Sequence, residues 1–218
     1  MALIKICGNV RHEDAMLVAS FNPDFMGWIF SPFSKRRLDR SRAARMIRSV
    51  RSRHPGIRHV GVFAGNSVLS ILALGRYLAA HEASLDFLQV TEGAGFIHRL
   101  RDFQSGENIP AAPVIPVLRP TQRIDDLDFV KTSPSPFWVL DRFDPVAKGG
   151  TGQQIDTSLF APVRYPFLVA GGINAKNARD ILKESGAAGI DLSSGVESAP
   201  GEKDPQKLED LFRTMRES

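Results

Sequence analysis

The chain has 218 residues, of which 43% are hydrophobic and 24% charged, with a formal net charge of +4. These values are ordinary for a soluble globular protein and suit one domain, residues 1–218, with a full-sized core. The single cysteine excludes an internal disulfide and any multi-cysteine zinc or iron–sulfur site, and no apolar run approaches the ~20 residues that span a bilayer.

The first predicted strand is Leu3–Ile6. Met1-Ala2-Leu3-Ile4-Lys5 runs straight into it without a signal peptide's layout. With the lone cysteine, this predicts a reducing cytoplasm. Cys7 stands at the strand's end, just before Gly8. A thiol there can serve as nucleophile or base, or can simply fill buried space. A helix follows over about Arg11–Ser20, with Ala15 and Ala19 at helical spacing.

The second strand is predicted at Phe25–Phe30, and the basic turn Ser31-Pro32-Phe33-Ser34-Lys35-Arg36-Arg37 after it suits an anionic group. Arg42, Arg45, Arg48, Arg51 and Arg53 come next, but Ala43, Met46, Ile47 and Val50 fall at i, i+3, i+4 and i+7 among them. That is an amphipathic helix with a solvated arginine face. No aromatics are interleaved to stack bases, so nucleic acid is not expected as a partner.

Further strands are predicted at Arg58–Phe63, where Gly61-Val62-Phe63 reads as barrel packing, and at Leu85–Val90, Ala112–Leu118, Phe137–Leu140, Phe167–Ala170 and Ala188–Leu192. Most are apolar without alternation, as parallel strands buried on both faces require. Pro-rich stretches around Pro110–Pro120 and Pro134–Pro136 read as loops. A helix is expected to open at Asn174 and end before Gly186, with Ala178, Ile181 and Leu182 as its stripe. The last helix takes Asp204 as N-cap and Pro205 as first residue, with Leu208, Leu211, Phe212 and Met215 facing inward.

Eight strands alternating with connecting segments predict an α/β fold, a (β/α)8 barrel, with a doubly wound open sheet as the other topology such a count allows. In a barrel, the residues after each strand converge on one face. They are Cys7, the basic turn, Asp141, then Gly149-Gly150-Thr151-Gly152, flexible enough to act as a lid or to let backbone approach a ligand, and Gly171-Gly172 and Asp191-Leu192-Ser193-Ser194-Gly195. The Gly and Ser residues after strands 7 and 8, near a helix N-terminus, form the phosphate site usual in this fold. The five histidines show no metal-ligand spacing and read as solvated surface residues.

Several motifs in order give the chain a resemblance to the phosphoribosylanthranilate isomerase family of tryptophan biosynthesis. They are Lys5-Ile6-Cys7-Gly8 with Glu13-Asp14-Ala15, Ser34-Lys35-Arg36, Gly61-Val62-Phe63, Leu140-Asp141, Gly149-Gly150-Thr151-Gly152, Ala170-Gly171-Gly172-Ile173 with Asn177, and Asp191-Leu192-Ser193-Ser194-Gly195-Val196-Glu197 with Pro200-Gly201 and Lys203-Asp204. The resemblance implies a (β/α)8 barrel without metal or cofactor and a small phosphosugar substrate. The implied reaction is the Amadori rearrangement of N-(5'-phosphoribosyl)anthranilate to 1-(2-carboxyphenylamino)-1-deoxyribulose 5-phosphate.

By position, the resemblance makes Cys7 the general base, Asp141 the general acid and Arg36 the holder of the anthranilate carboxylate. It gives Gly171, Gly172, Ser193, Ser194 and Gly195 the 5'-phosphate. Cationic groups near Cys7 are expected to keep it ionised, and the surroundings of Asp141 to raise its pKa.

The family usually carries Gln-Leu-His-Gly at the end of strand 4. Matched to Leu88-Gln89-Val90-Thr91, this puts Val90 in place of the histidine and Thr91 in place of the glycine. Thr157 stands where a tryptophan often follows Asp156. The other readings are a diverged barrel isomerase acting on another aminated phosphosugar, and a non-catalytic phosphate- or RNA-binding barrel. Monomer and homodimer are both open.

Overall fold

In the computed structural model, residues 2–106, 112–118, 135–141 and 165–216 are described. Eight parallel strands close into a barrel in the order β1 to β8. They are β1 (Leu3–Ile6), β2 (Phe25–Ile29), β3 (Arg58–Phe63), β4 (Phe87–Val90), β5 (Val114–Leu118), β6 (Trp138–Asp141), β7 (Phe167–Ala170) and β8 (Gly189–Leu192). All eight strand predictions hold within two residues at either end. Closure, which no strand count supplies, comes from β1 pairing with β8, Lys5 against Asp191. The open-sheet alternative is thereby excluded.

Strand alternation sorts side chains into two cores. Phe25, Val60, Ile115, Phe137, Val139 and Leu168 fill the barrel interior, with Leu3 and Phe87 packed against them. Ile4, Ile6, Met26, Trp28, Leu88, Val90, Ile190 and Leu192 point outward to the helices. The described helices include α1 (His12–Ser20), α2 (Arg40–Arg53), α3 (Val68–Ala80) and α4 (Ala94–Gly106), then Ala178–Ser185 and Pro205–Arg216. α2 buries Ala43, Met46, Ile47 and Val50, as its spacing predicts. Asp39 caps it by accepting from the Ser41 and Arg42 backbone N–H groups.

Two expectations fail here. The helix after β7 starts at Ala178 rather than Asn174. Asn177 Oδ1 accepts from the Asn174 N–H at 2.8 Å, and Asn174 Oδ1 from the Lys176 N–H at 2.9 Å. These side chains take up the N–H groups of Asn174 and Lys176 in a turn of their own, which competes with helix. The second failure is His59, which is fully buried rather than a surface residue. The indole N–H of Trp28 donates to its Nδ1 at 3.1 Å, while its Nε2 has no partner among the described residues.

Burial, with help from Arg51 and against the pull of Asp86, drives the His59 pKa from 6.5 down to about 4. The unfolded chain therefore takes a proton near pH 6.5 that the folded one refuses until about pH 4. Stability contributed by this residue is complete above pH 6.5 and falls by about 3 kcal/mol as pH drops to 4. Urea unfolding at pH 7 and pH 4.5 should reveal this loss. His59→Gln, which still accepts from Trp28, should remove most of the difference. An equal acid-induced loss in the variant would rule the mechanism out.

Candidate active site

A cavity of about 410 Å³ opens at the carboxyl ends of the strands, where this fold places its chemistry. Cys7, Asp141, Gly171, Gly172, Ser193, Ser194 and Gly195 all line it. Seven of the eight residues singled out from sequence thus meet around one space, although they span positions 7 to 195. Asp141 is the last residue of β6, not the first beyond it, and two strands separate it from β1 around the barrel. The loop Gly149-Gly150-Thr151-Gly152, Asp156-Thr157, and Pro110, Pro120 and Pro134 lie outside the described residues.

Cys7 is held from several sides. Its N–H donates to Leu192 O at 2.7 Å, and its own carbonyl accepts from Lys203 Nζ at 2.7 Å. The sulfur packs on the bare backbone of Gly27 in β2, where a Cβ would stand 2.5 Å from Sγ. Burial pushes the thiol pKa up, against the pull of Lys5 and Lys203 and with the push of Asp191. The expectation that nearby cations keep Cys7 ionised is thus only half met. The cations are present, but in the free protein desolvation outweighs them.

Arg36 is the eighth residue, and it does not line the cavity. Its Nε and Nη2 fork onto Glu197, with 3.0 Å from Nε to both carboxylate oxygens and 2.6 Å from Nη2 to Oε2. Lys203 Nζ reaches the same carboxylate at 2.9 Å. Burial would raise the Glu197 pKa, but the two cations outweigh it and hold the carboxyl below its usual range. Arg36 does meet a carboxylate in the fork expected of it, but that carboxylate is the protein's own.

At the β7 and β8 ends, Gly171 and Gly172 turn through φ of 98° and 69°, a region costly for side-chain-bearing residues. Asn177 Nδ2 donates to Gly172 O at 3.0 Å and fixes this turn. The backbone there is bare, so an anion can approach it closely. Ser194–Val196 form only a single 3-10 turn.

Sequence reasoning placed Asp191 and Phe33 in converging segments and Gln89 in strand 4 but gave none of the three a role. Gln89 and Asp191 are buried residues of the cavity wall, and the exposed ring of Phe33 stands at its lip. Strand alternation was the signal that could have found the first two. It also sorts the end of β4: Val90 points outward and is fully buried, whereas Gln89 and Thr91 face the cavity.

The family model for N-(5'-phosphoribosyl)anthranilate isomerase matches residues 4–214. An enzyme of that name from Synechococcus elongatus is 34% identical over 217 residues, covering 97% of this chain and 95% of its own. One from Rhodopseudomonas palustris is 32% identical, covering 98% of each. Among solved structures, the phosphoribosyl anthranilate isomerase of Thermotoga maritima superposes with a TM-score of 0.83 at 26% identity, covering all of both chains. A phosphoribosyl anthranilate isomerase solved in complex with reduced 1-(o-carboxyphenylamino)-1-deoxyribulose 5-phosphate has a TM-score of 0.76 at 24% identity, and covers all of both chains.

The contact between Gly27 and Cys7 gives a direct test of how the thiol is seated. Gly27→Ala should cost about 1–3 kcal/mol in urea unfolding, because the new methyl overlaps both Sγ and the Cys7 backbone. Wild-type stability would mean that the strands part without resistance.

Proposed function

The chain belongs to the N-(5'-phosphoribosyl)anthranilate isomerase family, and we propose that it carries out that family's reaction with Cys7 as general base and Asp141 as general acid. The observation that carries this reading is the joint presence, in one cavity, of a buried thiol, a carboxyl and a turn of bare backbone.

The substrate is N-(5'-phosphoribosyl)anthranilate, and its phosphate lies against Gly171, Gly172, Ser193, Ser194 and Gly195. Its ribose then lies between Cys7 and Asp141. The aryl end points to the β2–β4 side, where Phe33, Ala64 and Thr91 line the wall. Arg36 serves the anthranilate carboxylate through Nη1, the amino group outside its pairing with Glu197.

Asp141 gives a proton to the ring oxygen as the bond from C1' to that oxygen breaks, leaving an open-chain Schiff base. Cys7, as thiolate, removes the proton on C2', and the electron pair moves to the iminium to form an enolamine. Tautomerisation then takes the proton from the C2' hydroxyl and adds one at C1', giving the ketone. C1' is reduced and C2' oxidised within one molecule, so the reaction needs no external electron acceptor. Deprotonation beside an iminium needs only a modest base, which a thiolate is.

A wholly internal reaction with one reduced cysteine suits the cytoplasm, where we place the protein. Among the described residues, no helix is long and apolar enough to cross a membrane.

Cys7→Ala and Asp141→Asn should each lower turnover of phosphoribosylanthranilate by at least about 10²-fold with circular dichroism unchanged. Full activity in either variant would refute its role, and an inactive wild-type protein would refute the substrate. The raised thiol pKa also fixes a pH dependence: thiolate is the minor form at neutral pH, so kcat/KM should climb with pH through neutrality. A flat profile would show that Cys7 is not titrating as the base. Rescue of a tryptophan auxotroph lacking this isomerase, with Cys7→Ala as control, tests the role in the cell.

A further inference from the structure

Lys5 is a charged side chain that no step above uses, yet it is wholly buried inside the barrel. Strand alternation puts Lys5 and Cys7 on the same inward face of the β1 segment, with Leu3 below them in the interior core. Lys5 Nζ donates to Asp191 Oδ2 at 2.7 Å, across the register that closes the barrel. Asp191 Oδ1 is buried without a partner among the described residues, and Asp191 lines the cavity while Lys5 does not. A charged pair buried to this depth gains little stability over an apolar pair of similar volume. What it supplies is a fixed positive charge one layer below the thiol.

We propose that Lys5 is a positioning residue for proton abstraction, its ammonium anchored by Asp191 and serving as the counter-charge of the Cys7 thiolate. The proposal rests on Cys7 acting as the base. The thiol's proton leaves to solvent through the open cavity, and the ammonium then faces a thiolate on one side and a carboxylate on the other.

Among the described residues, the remaining charges around Cys7 are already committed. Lys203 sits on the Cys7 carbonyl and on Glu197, and Arg36 is forked onto Glu197. Asp141 stands two strands away on the cavity wall, and β2 offers only the backbone of Gly27. Burial opposes the charge on Lys5, but Asp191 and Cys7 together more than offset it, so Lys5 stays an ammonium.

Because Cys7 is the chain's only cysteine, alkylation by iodoacetamide reports on this one sulfur without substrate. In Lys5→Met, the pH midpoint of alkylation should move up by about one unit or more, and the acid limb of kcat/KM should move with it. Lys5→Arg should keep both close to wild type.

Lys5→Met leaves Asp191 buried alone, so Lys5→Met with Asp191→Asn is the matched variant that keeps the interior neutral. Its midpoint should also stay above wild type, since the charge facing the sulfur is gone. An unmoved midpoint in Lys5→Met, or a wild-type midpoint in the double variant, would overturn the proposal by showing that Lys5 merely neutralises Asp191. Normal turnover by Cys7→Ala would instead overturn the base assignment, whatever the alkylation midpoints.

Discussion

The barrel closes where β1 meets β8, and the seam carries a buried ion pair between Lys5 and Asp191 at 2.7 Å. Every other feature of the cavity is built around that closure. Cys7 and Ser193 each come two residues later on the same inward faces, so the strand pairing that joins the two charges also brings the thiol beside the turn after β8. Removing one member of such a pair costs about 3–5 kcal/mol, because the other is left charged and dry. The seam therefore tolerates the loss of both charges far better than the loss of one.

A second charge cluster ties the rim together. Glu197 receives Arg36 from the turn after β2 and Lys203 from just before the last helix, and Lys203 passes on to the Cys7 carbonyl. Three segments distant in sequence are fixed around one carboxylate. This carboxylate keeps most of the Arg36 fork occupied in the free protein. In the proposed role of Arg36, a substrate carboxylate shares the guanidinium with Glu197, which would tie recognition at the aryl end to the order of the loop beside the thiol.

Burial both helps and hinders here. It shields the charges of the barrel interior from water, which strengthens their interactions. It also holds the thiol protonated at neutral pH, since an anion in a dry site is costly. His59 shows the same effect on the far side of β3, where burial beside Trp28 keeps an imidazole neutral to about pH 4.

Much of the fold was legible locally. All eight strands, the α2 stripe and the cap and stripe of the last helix follow from apolar periodicity and end signals, and these act within a few residues. The chain-order motifs likewise located Cys7, Asp141 and the Gly and Ser turns, because strand ends are marked by small or polar residues after apolar runs. Where side-chain chemistry competed with periodicity, the reading failed: Asn174 and Asn177 built a turn in place of a helix start. It was silent on the facing of single residues, as at Gln89 and Val90.

The sequence by itself determined which residues form strands, which residues end them, and hence the candidates for the chemistry. Only the tertiary structure decided that the sheet closes, that Lys5 lies against Asp191 and Arg36 against Glu197, and that Cys7 is buried enough for its pKa to rise. The physical reason is range. Strand and cap signals are local, whereas ion pairs joining residues 186 and 161 positions apart, and the desolvation of a thiol, exist only once distant segments have been packed together.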